Sequence, residues 1–187
     1  MKTAAFFLLA ILCSFSPVAD KPVTDKTEAL KAFELINSIR QNPASFTGAN
    51  LSGVNAMPAL NWNDTLAKAA EAKALDMARR NYFSHTDPNG LGMNYHINKA
   101  GYSLNQAWLT NTSNNYFESI QAGAADGEEA VSMLIIDNGV PTLGHRKHLL
   151  GMDQWNASLK DIGIGFVRTA EGSKFKSYTC ILIARHR

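Results

Sequence analysis

With 187 residues, 45% of them hydrophobic, the chain is long enough to bury one proper core. Its formal net charge is only +2, and Lys and Arg are scattered without a basic run, which gives no footprint for nucleic acid or an anionic membrane surface. Two cysteines, Cys13 and Cys180, are too few for a Cys-rich zinc site.

The N-terminus reads as a secretory signal peptide over residues 1–19. Lys2 precedes an unbroken apolar run from Ala4 to Leu12, and small residues follow. The run is too short to span a bilayer, and no later run is apolar enough to do so. Cleavage after Ala19 leaves residues 20–187 as a single exported domain. The alternative is a lipoprotein anchored through Cys13, against which Leu12 is bulky where a small residue is expected. The mature chain keeps Cys180 alone, so it forms no internal disulfide and must be held by core and hydrogen bonds.

The first helix is predicted in "DKTEALKAFELINSIRQNP", opened by the capping-box pair Asp25 and Glu28 and closed at Pro43. Leu30, Phe33 and Ile36 are expected on its inner side. After the polar link "TGANLSGVNAMP", Asn63 caps a second helix running through Phe83, whose many alanines allow a neighbour to approach closely. A short helix follows in "LGMNYHINKAGY", with Gly101 as its stop. "NQAWLTN" and "NYFESIQAG" are predicted strands. "DGEEAVSMLIID" restarts a helix with Asp126 and Glu129 as a second capping box and Val131, Leu134 and Ile135 on one face. "IGIGFVR" and "SYTCILIAR" flank the hairpin signal Glu171-Gly172-Ser173, and Gly163 and Gly165, inside the first of these strands, suggest close packing there. Helices mostly precede strands, which suits an antiparallel sheet packed by helices.

The chemistry gathers at two places. "RNYFSHTDPNG" sets His85 where a helix stops and turn residues begin, and "LGHRKHLLG" carries His145 and His148. The spacing of three with no Glu between rules out the zincin pattern, and there is no Gly-x-Ser-x-Gly nucleophile elbow.

Taken in order, "LINSIRQNP", "ALNWNDTLAKAAEAKALDMARRNYFSHTDPNG", "KAGY", "FESIQAG", "GHRKHLLG" and "IGIGF" resemble the CAP superfamily of cysteine-rich secretory, antigen 5 and pathogenesis-related proteins, in particular its cysteine-poor bacterial SCP-like branch. The resemblance covers about residues 30–185. It implies an α+β fold, a three-layer α-β-α sandwich with a small central antiparallel sheet. It also implies a cleft lined by two histidines and two acids, which map onto His85, Glu118, Asp137 and His145. Three departures accompany the match: Phe117 and Ser119 replace the usual Gly and Asn around Glu118, Leu134 stands for a Trp, and Asp137 is shorter than the usual Glu. His96, His148 and His186 match no hallmark position, so surface or structural places are expected for them.

Two neutral imidazoles and one or two carboxylates make a plausible divalent metal site, with zinc the usual partner and His85 and His145 the ligands. Without metal, the same groups form a His–carboxylate cluster. Three functions stay open on this reading. The first is a secreted module that binds an extracellular ligand or protein. The second is a metal-dependent hydrolase, a peptidase or esterase, with Glu118 as base. The third is a carrier of a lipid or sterol-type ligand.

Overall fold

A computed structural model describes residues 21–170 and 172–186; the expected signal peptide and Cys13 lie outside the described residues. In chain order the elements are β1 (Val23–Thr24), α1 (Lys26–Gln41), β2 (Asn61–Trp62), α2 (Asp64–Arg80), α3 (Met93–Lys99), β3 (Glu118–Ala122), α4 (Gly127–Ile136), α5 (Gly144–Leu150), α6 (Gln154–Ser158), β4 (Asp161–Arg168) and β5 (Ser177–Ala184). The strands form one sheet in the order β1-β4-β5-β3, all antiparallel, with the two-residue β2 added parallel to β4.

Side chains alternate across a strand, and the register shows which layer each residue meets. Gly163 pairs with Leu182, which pairs with Glu118; Gly165 pairs with Cys180, which pairs with Ile120. These rows face α2. A Cβ at Gly163 would lie 2.1 Å from the Ala67 nitrogen, and one at Gly165 would lie 2.4 Å from the Glu71 nitrogen. The helix backbone therefore rests directly on the strand, as the glycine pair in the sequence suggests. Ile162, Ile164 and Phe166 point to the opposite face, toward the layer of α1, which packs on both β4 and α4. The result is the expected α-β-α sandwich.

Local chemistry explains where the helices begin and end. Asp25 caps α1 by accepting from the Glu28 amide. The Glu28 carboxylate does not close the box; it accepts from the Gly127 amide at 3.0 Å and so ties α1 to the start of α4. The buried row of α1 is Ala29, Ala32, Ile36 and Ile39, and Leu30 is exposed, contrary to the sequence reading. Leu30 lies about 100° around the helix from Ala29, off the row that meets both sheet and α4. Asn63 caps α2 as expected, accepting from the amides of Thr65 and Leu66. The helix stops at Arg80, short of Phe83, because Asn81 adopts a left-handed conformation (φ 54°). Gly101, with φ 101°, closes α3 as predicted.

"NQAWLTN" is not a strand. Asn105 accepts from the Ala107 amide and starts a single 3-10 turn over Gln106–Trp108. The Trp108 ring then packs edge-on against Phe117 and Trp155. By contrast, Val131, Leu134 and Ile135 of α4 are all buried, as their spacing implies.

Cys180 is fully buried on the α2 face, its thiol directed at Glu118 Oε1 across 3.6 Å. Burial pushes its pKa up, with the Glu118 charge adding to the effect. The native protein should therefore leave Cys180 unmodified by a thiol reagent, and denaturant should expose it to full reaction. Rapid labelling of the native protein would place β5 at an exposed edge and contradict the register.

Candidate functional site

β3 has β5 on one side and no strand on the other among the described residues. Its neighbours Glu118 and Ser119 must point to opposite faces of this edge. A cavity of about 430 Å³ lies across the edge, with His85, Glu118, Ser119, His145, His148 and Trp155 among its lining residues.

The first half of the site comes from the α2 layer. The Glu118 carboxylate is buried, and its Oε2 accepts from His85 Nδ1 at 2.7 Å and from Asn115 Nδ2 at 3.2 Å. The His85 side chain is 47% exposed against 0% for Glu118, so the ring is held from below and open above. The loop that carries it is fastened twice. Lys73, buried on α2, donates to the carbonyls of Ser84 (2.8 Å) and His85 (3.1 Å). Asp87 then accepts from the amides of Asn89 and Leu91 and pairs with His96 Nε2 at 3.2 Å. Burial alone would raise the Asp87 pKa, but these amides and His96 bring it below the usual carboxylate value.

The second half comes from the corner between α4 and α5. Asp137 ends α4 in a left-handed conformation, φ 55°. Its Oδ1 accepts from His145 Nδ1 at 2.7 Å, while Oδ2 accepts from the backbone amides of His145 and Arg146 at 3.0 and 3.2 Å. The residue before α5, Leu143, offers no side-chain cap, so Asp137 supplies one from the preceding helix. Arg146 returns the favour, donating from Nε to the Ile135 carbonyl (2.6 Å) and from Nη2 to that of Ile136 (2.8 Å). Each helix end is thus capped by a side chain of the other.

The structure gathers all four residues named from the sequence, but as two separate His–carboxylate pairs. His85, Glu118 and His145 line the cavity; Asp137 lies buried behind His145 and orients it. A carboxylate accepts only from a protonated nitrogen, so each ring carries a proton on Nδ1, and neither Nε2 has a hydrogen-bond partner among the described residues. Among the described residues no three His, Cys, Asp or Glu side chains form a group that could hold a metal ion.

Sequence reasoning missed part of the lining. His148 is no surface residue: it is buried, three positions after His145 on α5, and its Nδ1 meets Ser119 Oγ at 2.8 Å. No local signal marks it, because the Ser119 it meets lies 29 residues away and only the sheet edge brings the two together. Asn115 Oδ1 and His148 Nε2 are buried and have no hydrogen-bond partner among the described residues.

Burial pushes the His148 pKa down to about 4, from an ordinary value of 6.5. Below pH 6.5 the unfolded chain takes up a proton that the folded state refuses until about pH 4. Stability should therefore fall as pH drops through that window and level off below it, by about 3 kcal/mol for this group. Urea unfolding of the wild type and of His148→Gln across pH 7 to 4 checks this; parallel pH curves for the two proteins would contradict it.

Comparison with known proteins places the chain in a known class. The model of the cysteine-rich secretory protein family, CAP, matches residues 33–182, and the chain belongs to that family. No curated protein sequence matches it. Among solved structures it is similar to an extracellular SCP-domain protein of Bacillus anthracis, with 23% identity and a TM-score of 0.56. That match covers 86% of this chain and 41% of the Bacillus one. It is also similar to an outer surface protein of Borrelia burgdorferi, with 18% identity and a TM-score of 0.59, over 88% of this chain and 97% of the other. These likenesses support the fold. No helix among the described residues is long and apolar enough to cross a membrane.

Proposed function

We propose that the protein is an exported CAP-domain binding module that recognises an extracellular ligand or partner in the cleft at the β3 edge. One observation carries this reading: two imidazoles, each oriented by a buried carboxylate, line one cavity with their Nε2 atoms unspent. An Nε2 that bears no proton accepts hydrogen bonds, and Asn115 Oδ1 adds a buried acceptor with no partner of its own among the described residues. The cleft thus suits a molecule that brings N–H or O–H donors, such as a peptide or saccharide segment. Export is supported by the signal-like residues 1–19 and by the described locations of the two similar proteins. Sequencing the mature N-terminus tests that part: a start near Asp20 is expected, and an acylated Cys13 would replace it with a lipoprotein.

Zinc would find two imidazole nitrogens, from His85 and His145, because Glu118 and Asp137 are already committed to the opposite ring atoms. That carboxylate–histidine arrangement is the usual outer shell of a metal ligand. Two ligands fall short of the three protein ligands of a catalytic zinc site. Zinc would supply Lewis acidity if held there, but this donor set does not fit a catalytic zinc site and lends no support to metal-dependent hydrolysis. The recognition reading is tested by crystallographic screening of short peptides and oligosaccharides. Density bridging His85 and His145, lost in both His85→Ala and His145→Ala, is expected. Hits confined to other surfaces would overturn it.

A further inference from the structure

We propose that a second cavity, between α2 and α3, binds a small organic anion: an acidic group carried on a compact apolar body. This cavity is larger than the cleft, about 590 Å³, within the range of small-molecule sites. Its floor is apolar because Ala69 and Ala72 of α2 and Ala100 after α3 leave no bulk there, and the Tyr82 side chain joins the wall. The alanine-rich face of α2 packs tightly on β4 through its other side; here it meets an opening.

The charge around the opening is positive. Lys68, Arg80 and Lys99 line it, and Lys68 and Lys99 are exposed. Among the described residues neither pairs with a carboxylate; Lys99 only lies over the Tyr95 ring, at 5.7 Å. The two acids in the wall are spent. Asp76 accepts from the Tyr82 hydroxyl at 2.6 Å and from Arg80, and Asp87 is held by two amides and His96.

Lys73 strengthens the case. It is 4% exposed and lines the same cavity. Its ammonium is hydrogen-bonded to two carbonyls and, at 3.4 Å, to the Tyr82 hydroxyl. None of these groups carries a negative charge, and among the described residues Lys73 forms no ion pair. The carboxylates of the same wall, Asp76 and Asp87, lie beyond ion-pair distance of its ammonium and are held by Tyr82, Arg80, two amides and His96, so an anion in the cavity would add a favourable charge beside Lys73. Lys68 and Lys99 would bind its acidic group directly, and Lys73 would act through its field. The site is distinct from the cleft: Lys73 and the Tyr82–Asp87 loop form its wall, and His85 faces the other way, toward Glu118.

Titration of the full chain with 4-phenylbutyrate, 4-phenylbutylamine and inorganic phosphate tests this, with the His96 ring protons followed by NMR. The carboxylate should bind at least about tenfold more tightly than the amine and than phosphate, and should shift the His96 signals. The double charge reversal Lys68→Glu/Lys99→Glu should weaken it by about tenfold or more with the unfolding midpoint unchanged. Ala72→Trp, at an exposed helix position, should fill the cavity and abolish the shift. Amine binding as strong as carboxylate binding would overturn the proposal. So would phosphate binding as tightly as the carboxylate, undiminished binding in the charge-reversed variant, or no response of His96 at millimolar probe.

Discussion

Gly163→Ala should destabilise the protein by at least about 3 kcal/mol, among the largest effects a single methyl group can produce. The added Cβ would sit 2.1 Å from the Ala67 nitrogen and 2.2 Å from the Leu66 carbonyl carbon, both backbone atoms of α2. Backbone cannot swing aside as a long side chain can. Either α2 lifts from β4 or the strand twists away from β5, and both moves open the main contact between helix and sheet. Gly53→Ala is the control, because nothing lies within 4 Å of the position its Cβ would take. That change should be close to neutral in the same urea unfolding experiment. Equal midpoints for the two variants would mean that α2 does not rest on the strand.

Asp137→Ala should cost about 3 kcal/mol and also release the His145 ring. The carboxylate accepts two backbone amides and one imidazole N–H, and the residue is 4% exposed. Alanine would also have to hold φ near 55°, a conformation that Asp and Asn tolerate far better. Asp137→Asn separates these contributions. It keeps the backbone conformation and one acceptor oxygen, so it should recover part of the stability but leave His145 without its charged partner. Chemical denaturation reads the first effect, and the His145 ring resonances read the second. An Asp137→Ala protein as stable as wild type, with unchanged His145 signals, would contradict the capping geometry.

Much of this site is legible in the chain because its determinants are local. His85 follows a predicted helix, although the helix ends at Arg80 and not at Phe83, and the loop beyond it is marked by Asp87-Pro88-Asn89-Gly90. The capping residues Asp25, Asn63 and Asp126 each accept the amide their spacing implies. Gly163 and Gly165 announce close packing before any helix is known to lie over them. What the sequence leaves open depends on distant partners. The α5 helix has no cap of its own, and only the tertiary corner brings Asp137 to it. His148 carries no local sign of burial, since the Ser119 it meets belongs to a strand brought alongside by the β3–β5 pairing. "NQAWLTN" has strand-like composition, but Asn105 closes a local turn that competes with extended pairing.

That the four cleft residues form two pairs, and not one cluster, also follows from the fold. Glu118 and His85 belong to the α2 side of the β3 edge, and Asp137 and His145 to the corner between α4 and α5. Each acid holds its own imidazole: Glu118 lines the cleft together with His85, whereas Asp137 lies buried behind His145.

Long-range nitrogen–proton NMR correlation of the histidine rings at pH 8 tests this arrangement most directly, because it reads which ring nitrogen bears the proton. His85 and His145 should both be protonated on Nδ1 with Nε2 bare. Glu118→Gln should disturb only the first ring, and Asp137→Asn only the second. Finding either ring protonated on Nε2 in the wild type, or both rings disturbed equally by either substitution, would contradict the two-pair cleft on which the recognition site is built.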